Sequence, residues 1–334
     1  MAEKTENNKL KSLYLFYGPE KYLIEESLKK IKKAFGDMQK GINYIEIGEN
    51  NILEIIPNLE TPAFGFENKL IIVRNSGIFK KDTKNGNISA VREKIEKYFK
   101  ENFEYVKDFN ILVFVEDEVL KTLNISKFIQ ENGYVEEFTF LKPMQIRDRL
   151  KRICMAYNVK ITDDNLMYLI DLVGTNMQDL INEIRKLIEF AGNGGIVEKT
   201  DIDKLTIKQI QAIIFDLTDN LGTKQLSKAM EILDNLVYNK EPYQKILVTL
   251  YNHFKKLYLL KLHEVSNSNI DLVTVLGLKP NQTFLVAKYK KQAFYFKTKE
   301  LEEMIRNFAE LDYKTKNGLI DIEVGLKSIL CKNS

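Results

Sequence analysis

Residues 13–27 read Leu13-Tyr14-Leu15-Phe16-Tyr17-Gly18-Pro19-Glu20-Lys21-Tyr22-Leu23-Ile24-Glu25-Glu26-Ser27. A short apolar strand runs into a Gly-Pro turn and then into a helical pattern. Nucleotide-binding folds place their phosphate loop in this setting, with the form G-x-x-x-x-G-K-[ST]. The glycines of such a loop let successive backbone N–H groups close around phosphate, and its Lys and Ser/Thr hold phosphate and Mg²⁺. Here the second glycine is missing, no Gly-Lys-Ser/Thr triplet follows, and Tyr22, Leu23 and Ile24 fill the cradle. Gly18, Pro19, Glu20 and Lys21 are therefore read as a degenerate phosphate loop from which no nucleotide binding is expected.

The strand–helix alternation continues outward from this stretch to about residue 140. Strands are expected at 12–17, 42–47, 69–74, 111–116 and 134–139, with helices near 20–35, 88–101 and 121–131. Ile71-Ile72-Val73 and Ile111-Leu112-Val113-Phe114-Val115 are continuous apolar runs, the pattern of strands buried on both faces. Such alternation predicts an α/β domain whose parallel sheet is flanked by helices.

After Leu141 the strand pattern stops. Pro143 suits the first turn of a helix, where its missing N–H costs nothing. Thr162-Asp163-Asp164 reads as a capped helix start. Thr175 is expected to cap the next helix, with Gln178 completing a capping box. That helix should end near Ala191, before the breaker Gly192-Asn193-Gly194-Gly195, and a short helix should follow Thr200. From about residue 207 the apolar residues recur at helical spacing. One stripe is Leu226, Ala229, Met230, Leu233, Leu236 and Val237; another is Leu301, Met304, Ile305, Phe308 and Leu311. Ile246, Leu250, Phe254 and Leu257 form a third after Pro242. Each stripe faces either a bundle core or a partner. The expected organisation is an α/β domain over 1–140 and two all-α domains over 141–206 and 207–334.

The 334 residues are 44% hydrophobic and 29% charged, with a net charge of +3. That balance is typical of a globular chain and lacks the excess of an autonomous nucleic-acid binder. No run reaches the roughly 20 apolar residues of a membrane span. The polar start, Met1 to Asn8, has no apolar core of a secretory signal and reads as a frayed tail. Cys154 and Cys331 lie far apart, which fits thiols in a reducing, cytoplasmic compartment. Two Cys and two His at unrelated spacings make no zinc site, and no metal or cofactor is expected.

Three places invite a chemical reading. His253 and His263 share a predicted helix but stand about 15 Å apart along it, too far to share a metal or a proton. Glu116-Asp117-Glu118 closes a buried strand where nucleotide hydrolases hold Mg²⁺. Without a phosphate loop this cluster reads as a polar strand end. The third is Thr61-Pro62-Ala63-Phe64-Gly65-Phe66-Glu67-Asn68, directly before the strand at 69–74. Its two phenylalanines either tuck into the sheet edge or form an exposed plug that fills a partner's pocket. The polar segment Lys80-Lys81-Asp82-Thr83-Lys84-Asn85-Gly86-Asn87 reads as a solvated loop.

In this ordered set the chain resembles the delta subunit of the bacterial DNA polymerase III clamp loader. The resemblance runs from Leu15-Phe16-Tyr17-Gly18-Pro19-Glu20 through the proline-and-aromatic turn and apolar strand at 61–73. It includes Gly174, Asp179-Leu180 and Asn182-Glu183-Ile184-Arg185-Lys186-Leu187. It continues with Ile214-Phe215-Asp216-Leu217-Thr218-Asp219, with Pro242 and Ile246-Leu247, and with Leu311-Asp312-Tyr313-Lys314-Thr315-Lys316-Asn317-Gly318. It implies an AAA+-like first domain, a small helical second domain and a helical collar. It also implies a non-catalytic role in DNA replication, within a five-subunit assembly whose ATPase subunits are other chains. The resemblance further implies that the chain binds the ring-shaped sliding clamp, holds one interface open, and acts with the ATPase subunits, delta-prime and primer–template DNA. Carried onto this sequence, the clamp-binding residues are Phe64 and Phe66, with Ala63 and Gly65 shaping the turn. Family members often place adjacent apolar residues there, whereas this chain has Phe-Gly-Phe. Delta-prime has a Ser-Arg-Cys motif and usually a four-cysteine zinc module; here Cys154 follows Ile153 and Cys331 follows Leu330. The rival reading is a divergent nucleotide-binding ATPase or phosphotransferase using Lys21 and the Glu116–Glu118 cluster. A third, an autonomous DNA-binding protein, conflicts with the near-neutral charge.

Overall fold

A computed structural model of the chain describes residues 10–81, 87–266 and 269–332. The tail before residue 10 and most of the predicted loop at 80–87 lie outside the described residues. The chain divides into two compact units, one through Phe140 and the other from Leu141.

In the first unit the order is β1 (Leu13–Tyr17), α1 (Lys21–Phe35), β2 (Tyr44–Ile47), α2 (Ile55–Glu60) and β3 (Lys69–Arg74). It continues with α3 (Asn87–Val106), β4 (Asn110–Glu116), α4 (Asn124–Asn132) and β5 (Tyr134–Glu137). The five strands form one parallel sheet in the order β2-β3-β4-β1-β5. The apolar runs are explained by the two covered faces. Leu15, Ile71, Val73, Leu112 and Phe114 point to one side, where they meet Ile95 and Phe99 of α3 and Ile125 and Ile129 of α4. Phe16, Leu70, Ile72 and Val113 point to the other and meet Ile24, Leu28 and Ile31 of α1. The period of two along each strand thus serves two cores at once.

Sequence pattern assigns no element to 49–60. The structure has a 3-10 segment, Glu49–Glu54, running into α2, and together they bury Ile52, Ile55 and Leu59. Pro57 sits in the first turn of α2, where a proline ring is tolerated.

The second unit contains α5 (Pro143–Ala156), β6 (Lys160–Ile161), α6 (Asp163–Val173), α7 (Met177–Ala191), β7 (Ile196–Val197) and α8 (Lys199–Leu205). It goes on through α9 (Ile210–Gly222), α10 (Leu226–Tyr238), α11 (Tyr243–Ser266), α12 (Leu272–Val275), α13 (Leu285–Ala293), α14 (Thr298–Lys316) and α15 (Ile322–Lys332). Pro143 opens α5, and the Thr162 hydroxyl caps α6 by accepting from the Asn165 N–H, as expected. The predicted apolar stripes meet in one core, with Ile246, Leu250, Phe254 and Leu257 of α11 packed among residues of α9, α10, α14 and α15.

Two details depart from the sequence reading. The helical unit carries a two-stranded parallel ladder, Lys160↔Ile196 and Ile161↔Val197, too short to leave a periodic signal. The cap of α7 is Asn176 rather than Thr175: its side-chain oxygen accepts from the Gln178 and Asp179 N–H groups at 2.9 and 3.2 Å. Thr175 is buried instead, and its hydroxyl accepts a 2.8 Å bond from Asn281 Nδ2. Among the described residues no helix is long and apolar enough to cross a membrane, and no group of acidic, His and Cys side chains is arranged to hold a metal ion.

Candidate functional site

The aromatic turn grows from the end of α2. The Thr61 N–H and hydroxyl both donate to Pro57 O, at 3.1 and 2.7 Å, closing the helix. Three further carbonyls of this end, those of Asn58, Leu59 and Thr61, are met from the sheet. Lys69 heads β3 and is only 3% exposed; its ammonium donates to Asn58 O at 2.8 Å and also to Thr61 O. Asn110, its register partner at the head of β4, is 2% exposed and donates to Leu59 O and Val106 O, both at 3.0 Å. Carbonyls at a helix C-terminus have no partner within the helix, and a cation there also meets the negative end of the helix dipole. Burial draws the Lys69 pKa below its usual value.

Beyond Pro62 the chain reverses. The Phe66 N–H donates to Ala63 O at 3.1 Å, and Gly65 has φ +79°, so residues 63–66 form a turn of type II character. A Cβ at Gly65 would meet nothing within 4 Å, so the backbone angle, not space, favours glycine there. The two phenylalanines are not equivalent. Phe64, at the first corner, is 91% exposed. Phe66 and Ala63 are half-buried. The alternative in which both aromatics tuck into the sheet edge does not describe Phe64.

The degenerate loop lies at the opposite end of the sheet, since β1 and β3 run parallel and the turn enters β3 while the loop leaves β1. Its backbone donors are taken by the protein itself. The Gly18 N–H bonds Glu116 O at 3.2 Å, the Glu20 N–H bonds Phe138 O at 3.1 Å, and the Lys21 N–H bonds Pro19 O at 3.1 Å. Gly18 has φ +126°, and a Cβ there would stand 2.4 Å from Phe138 O. This glycine is required by close approach of the segment after β5.

Lys21 reaches the predicted acidic cluster and pairs with Asp117, and that bond is the main cause holding the Asp117 carboxyl below its usual range. Glu116 is fully buried at the end of β4. It accepts from the Ser76 N–H at 2.8 Å and from the Ser76 hydroxyl at 2.5 Å. Burial pushes its carboxyl pKa up against those bonds. Glu118 is exposed. The structure therefore brings Lys21 and Asp117 together; His253 and His263 belong to the second unit.

His253 is buried in the second unit. Its Nε2 lies 2.7 Å from Gln292 Oε1, while Gln292 Nε2 donates to Phe215 O at 2.8 Å and Asp219 Oδ1 at 2.9 Å. Since those two acceptors fix the amide's orientation, the imidazole proton is on Nε2. Burial lowers the His253 pKa to about 3. The role is structural: it ties α9, α11 and α13.

Two profiles of one family match the chain. That of the DNA polymerase III delta subunit covers residues 14–139, from β1 past β5, and that of the same family's C-terminal domain covers residues 211–333. The chain belongs to the DNA polymerase III delta-subunit family. Among curated relatives it is 23% identical to DNA polymerase III subunit delta of Bacillus subtilis over 326 residues, covering 95% of this chain and 91% of that one. It is 26% identical to the probable DNA polymerase III subunit delta of Aquifex aeolicus over 312 residues, covering 91% and 86%. The solved Bacillus subtilis clamp loader delta protein shares the fold, with a TM-score of 0.75 at 21% identity over 97% of this chain and 95% of that one.

For this delta-family chain, sequence pattern alone misses Lys69 and Asn110 at the base of the turn. Each is a polar residue at the head of a strand, directly before its apolar run, which is the signal that singles them out.

Proposed function

We propose that this chain is the non-catalytic subunit of a bacterial DNA polymerase III clamp loader that grips the sliding clamp and holds its ring open for loading onto primed DNA. Family membership carries the clamp-loader role. The observation that carries the grip is Phe64, 91% exposed at the corner of a hydrogen-bonded turn. A large aromatic held in water on a closed turn is poised to fill a partner's pocket, and such anchors dominate many interfaces.

Opening follows from differential affinity: a subunit that binds the opened ring more tightly than the closed one shifts the ring's equilibrium by that difference. ATP bound on the ATPase subunits would control access to the turn. The chain would sit with those subunits and delta-prime in a five-subunit cytoplasmic assembly that encloses primer–template DNA. Residues 141–206 would form the small helical domain and 207–334 the collar.

Lack of catalysis is supported by the loop at Gly18–Lys21, whose N–H groups bond to carbonyls of the protein and whose lysine pairs with Asp117. These are the groups that the rival ATPase or phosphotransferase reading would need for phosphate.

The test is affinity of the full-length chain for the sliding clamp of the same organism. Phe64→Ala is expected to weaken binding roughly thirtyfold, equivalent to about 2 kcal/mol, and Phe66→Ala by less. Undiminished affinity in the double variant would sink the assignment of the turn.

A further inference from the structure

We infer that Lys69 is the positioning residue of the clamp-binding turn: its buried ammonium, bonded to the carbonyls of Asn58 and Thr61, sets the direction in which Phe64 is presented. This rests on the reading of Phe64 as the clamp anchor.

A lysine buried to 3% exposure at the head of a strand is unusual, because desolvating an ammonium is costly unless strong acceptors replace water. Here the acceptors are main-chain carbonyls on either side of the last turn of α2. One of them belongs to Thr61, the residue from which the chain leaves the helix. Pro62 follows, with φ fixed by its ring, then Ala63, whose carbonyl closes the turn by accepting from the Phe66 N–H. Only Pro62 and Ala63 separate the anchored Thr61 carbonyl from Phe64. Few free dihedrals remain between the ammonium and the exposed ring. Asn110 holds the intervening Leu59 carbonyl from the neighbouring strand, so carbonyls of one helix end are pinned from below by two polar strand heads.

The sheet itself has no need of this lysine's charge. The Lys69 N–H already bonds Phe109 O at 2.9 Å as part of the backbone. What the ammonium adds is a fixed stem. Without it the stem frays, Phe64 samples several directions, and clamp binding must include the cost of ordering them.

The experiment is a double-mutant cycle on the full-length chain, reading clamp affinity for wild type, Lys69→Met, Phe64→Ala and the pair. Lys69→Met is expected to weaken binding roughly tenfold when Phe64 is present and to have no further effect in the Phe64→Ala background. Amide exchange should show faster exchange at the Phe66 N–H in Lys69→Met, with protection of β3 and β4 kept. Should the methionine variant fail to fold, Lys69→Gln, which keeps one donor, replaces it in the same cycle. An equal loss in both backgrounds, or no loss in either, overturns the positioning role. If Phe64→Ala itself leaves affinity intact, the reading of the turn falls and the inference falls with it. If Phe64→Ala weakens binding and Lys69→Met does not, only the inference falls.

Discussion

At the scale of single residues, two glycines show how differently the same residue type can be required. Gly65 turns the chain with open space around it, whereas Gly18 lies under the carbonyl of Phe138. Both have positive φ; at Gly65 an L side chain costs about 1–2 kcal/mol for the backbone alone. At Gly18 a methyl group would also need the segment after β5 to withdraw from a 2.4 Å approach. Gly18→Ala is thus expected to lower the stability of the first unit much more than Gly65→Ala, by roughly 3 kcal/mol or more against about 1. Urea titrations of both variants check this; equal losses would mean that the loop is not packed as described. Gly18 is legible in the sequence as part of a phosphate-loop remnant, but the need for it is not. That need arises from Phe138, far along the chain, which local pattern does not encode.

At the scale of elements, legibility follows how much of an element's signal is local. The limits of β3 are predicted to the residue, because its apolar run is bounded by polar residues and covered on both faces. The cap of α7 is off by one. Both Thr175 and Asn176 are good caps in principle, and the choice is made by Asn281, which draws the Thr175 hydroxyl inward. Asn176→Ala is therefore expected to cost about 1 kcal/mol through loss of two helix N-terminal bonds. Thr175→Val should cost as much by a different route, leaving the Asn281 amide without its acceptor. In the Asn281→Leu background the Thr175→Val cost should shrink while that of Asn176→Ala stays. Thermal unfolding of the single and paired variants distinguishes the two. The 3-10 segment and α2 escape sequence pattern for a related reason: a six-residue helix with an internal proline has too few turns to establish a period. The exposed turn is legible as a candidate because two aromatics flank a glycine just after a proline and directly before a strand. Which phenylalanine projects depends on the turn type, and hence on one backbone hydrogen bond.

At the scale of the whole molecule, the two units differ in where they place polarity. The first keeps buried ionisable groups at the ends of the sheet, with Lys69 at one and Glu116 at the other. The second keeps His253 in its interior, neutral and shared among three helices. The folded pKa of about 3 lies below the ordinary 6.5. Between those values the unfolded chain binds one more proton, so stability falls as pH drops below about 6.5, by up to about 1.4 kcal/mol per pH unit. The contribution is complete above about pH 7. The His253 ring is expected to hold its neutral Nε2–H signature in NMR as the pH is lowered from about 7.5 to about 5, until the unit unfolds. A ring titrating with a midpoint near 6.5 in the folded protein would contradict the buried network.

The carbonyls that hold the stem of the aromatic turn belong to the main chain, and every residue type presents the same carbonyl. Lys69 and Asn110 therefore grip Asn58, Leu59 and Thr61 without reading their side chains. The tip at Phe64 stands clear of the core. A mount indifferent to identity, carrying a tip free of packing constraint, lets the two evolve separately. On the proposed reading, the residue at the corner could change with its partner's pocket while the sheet beneath it stays as it is.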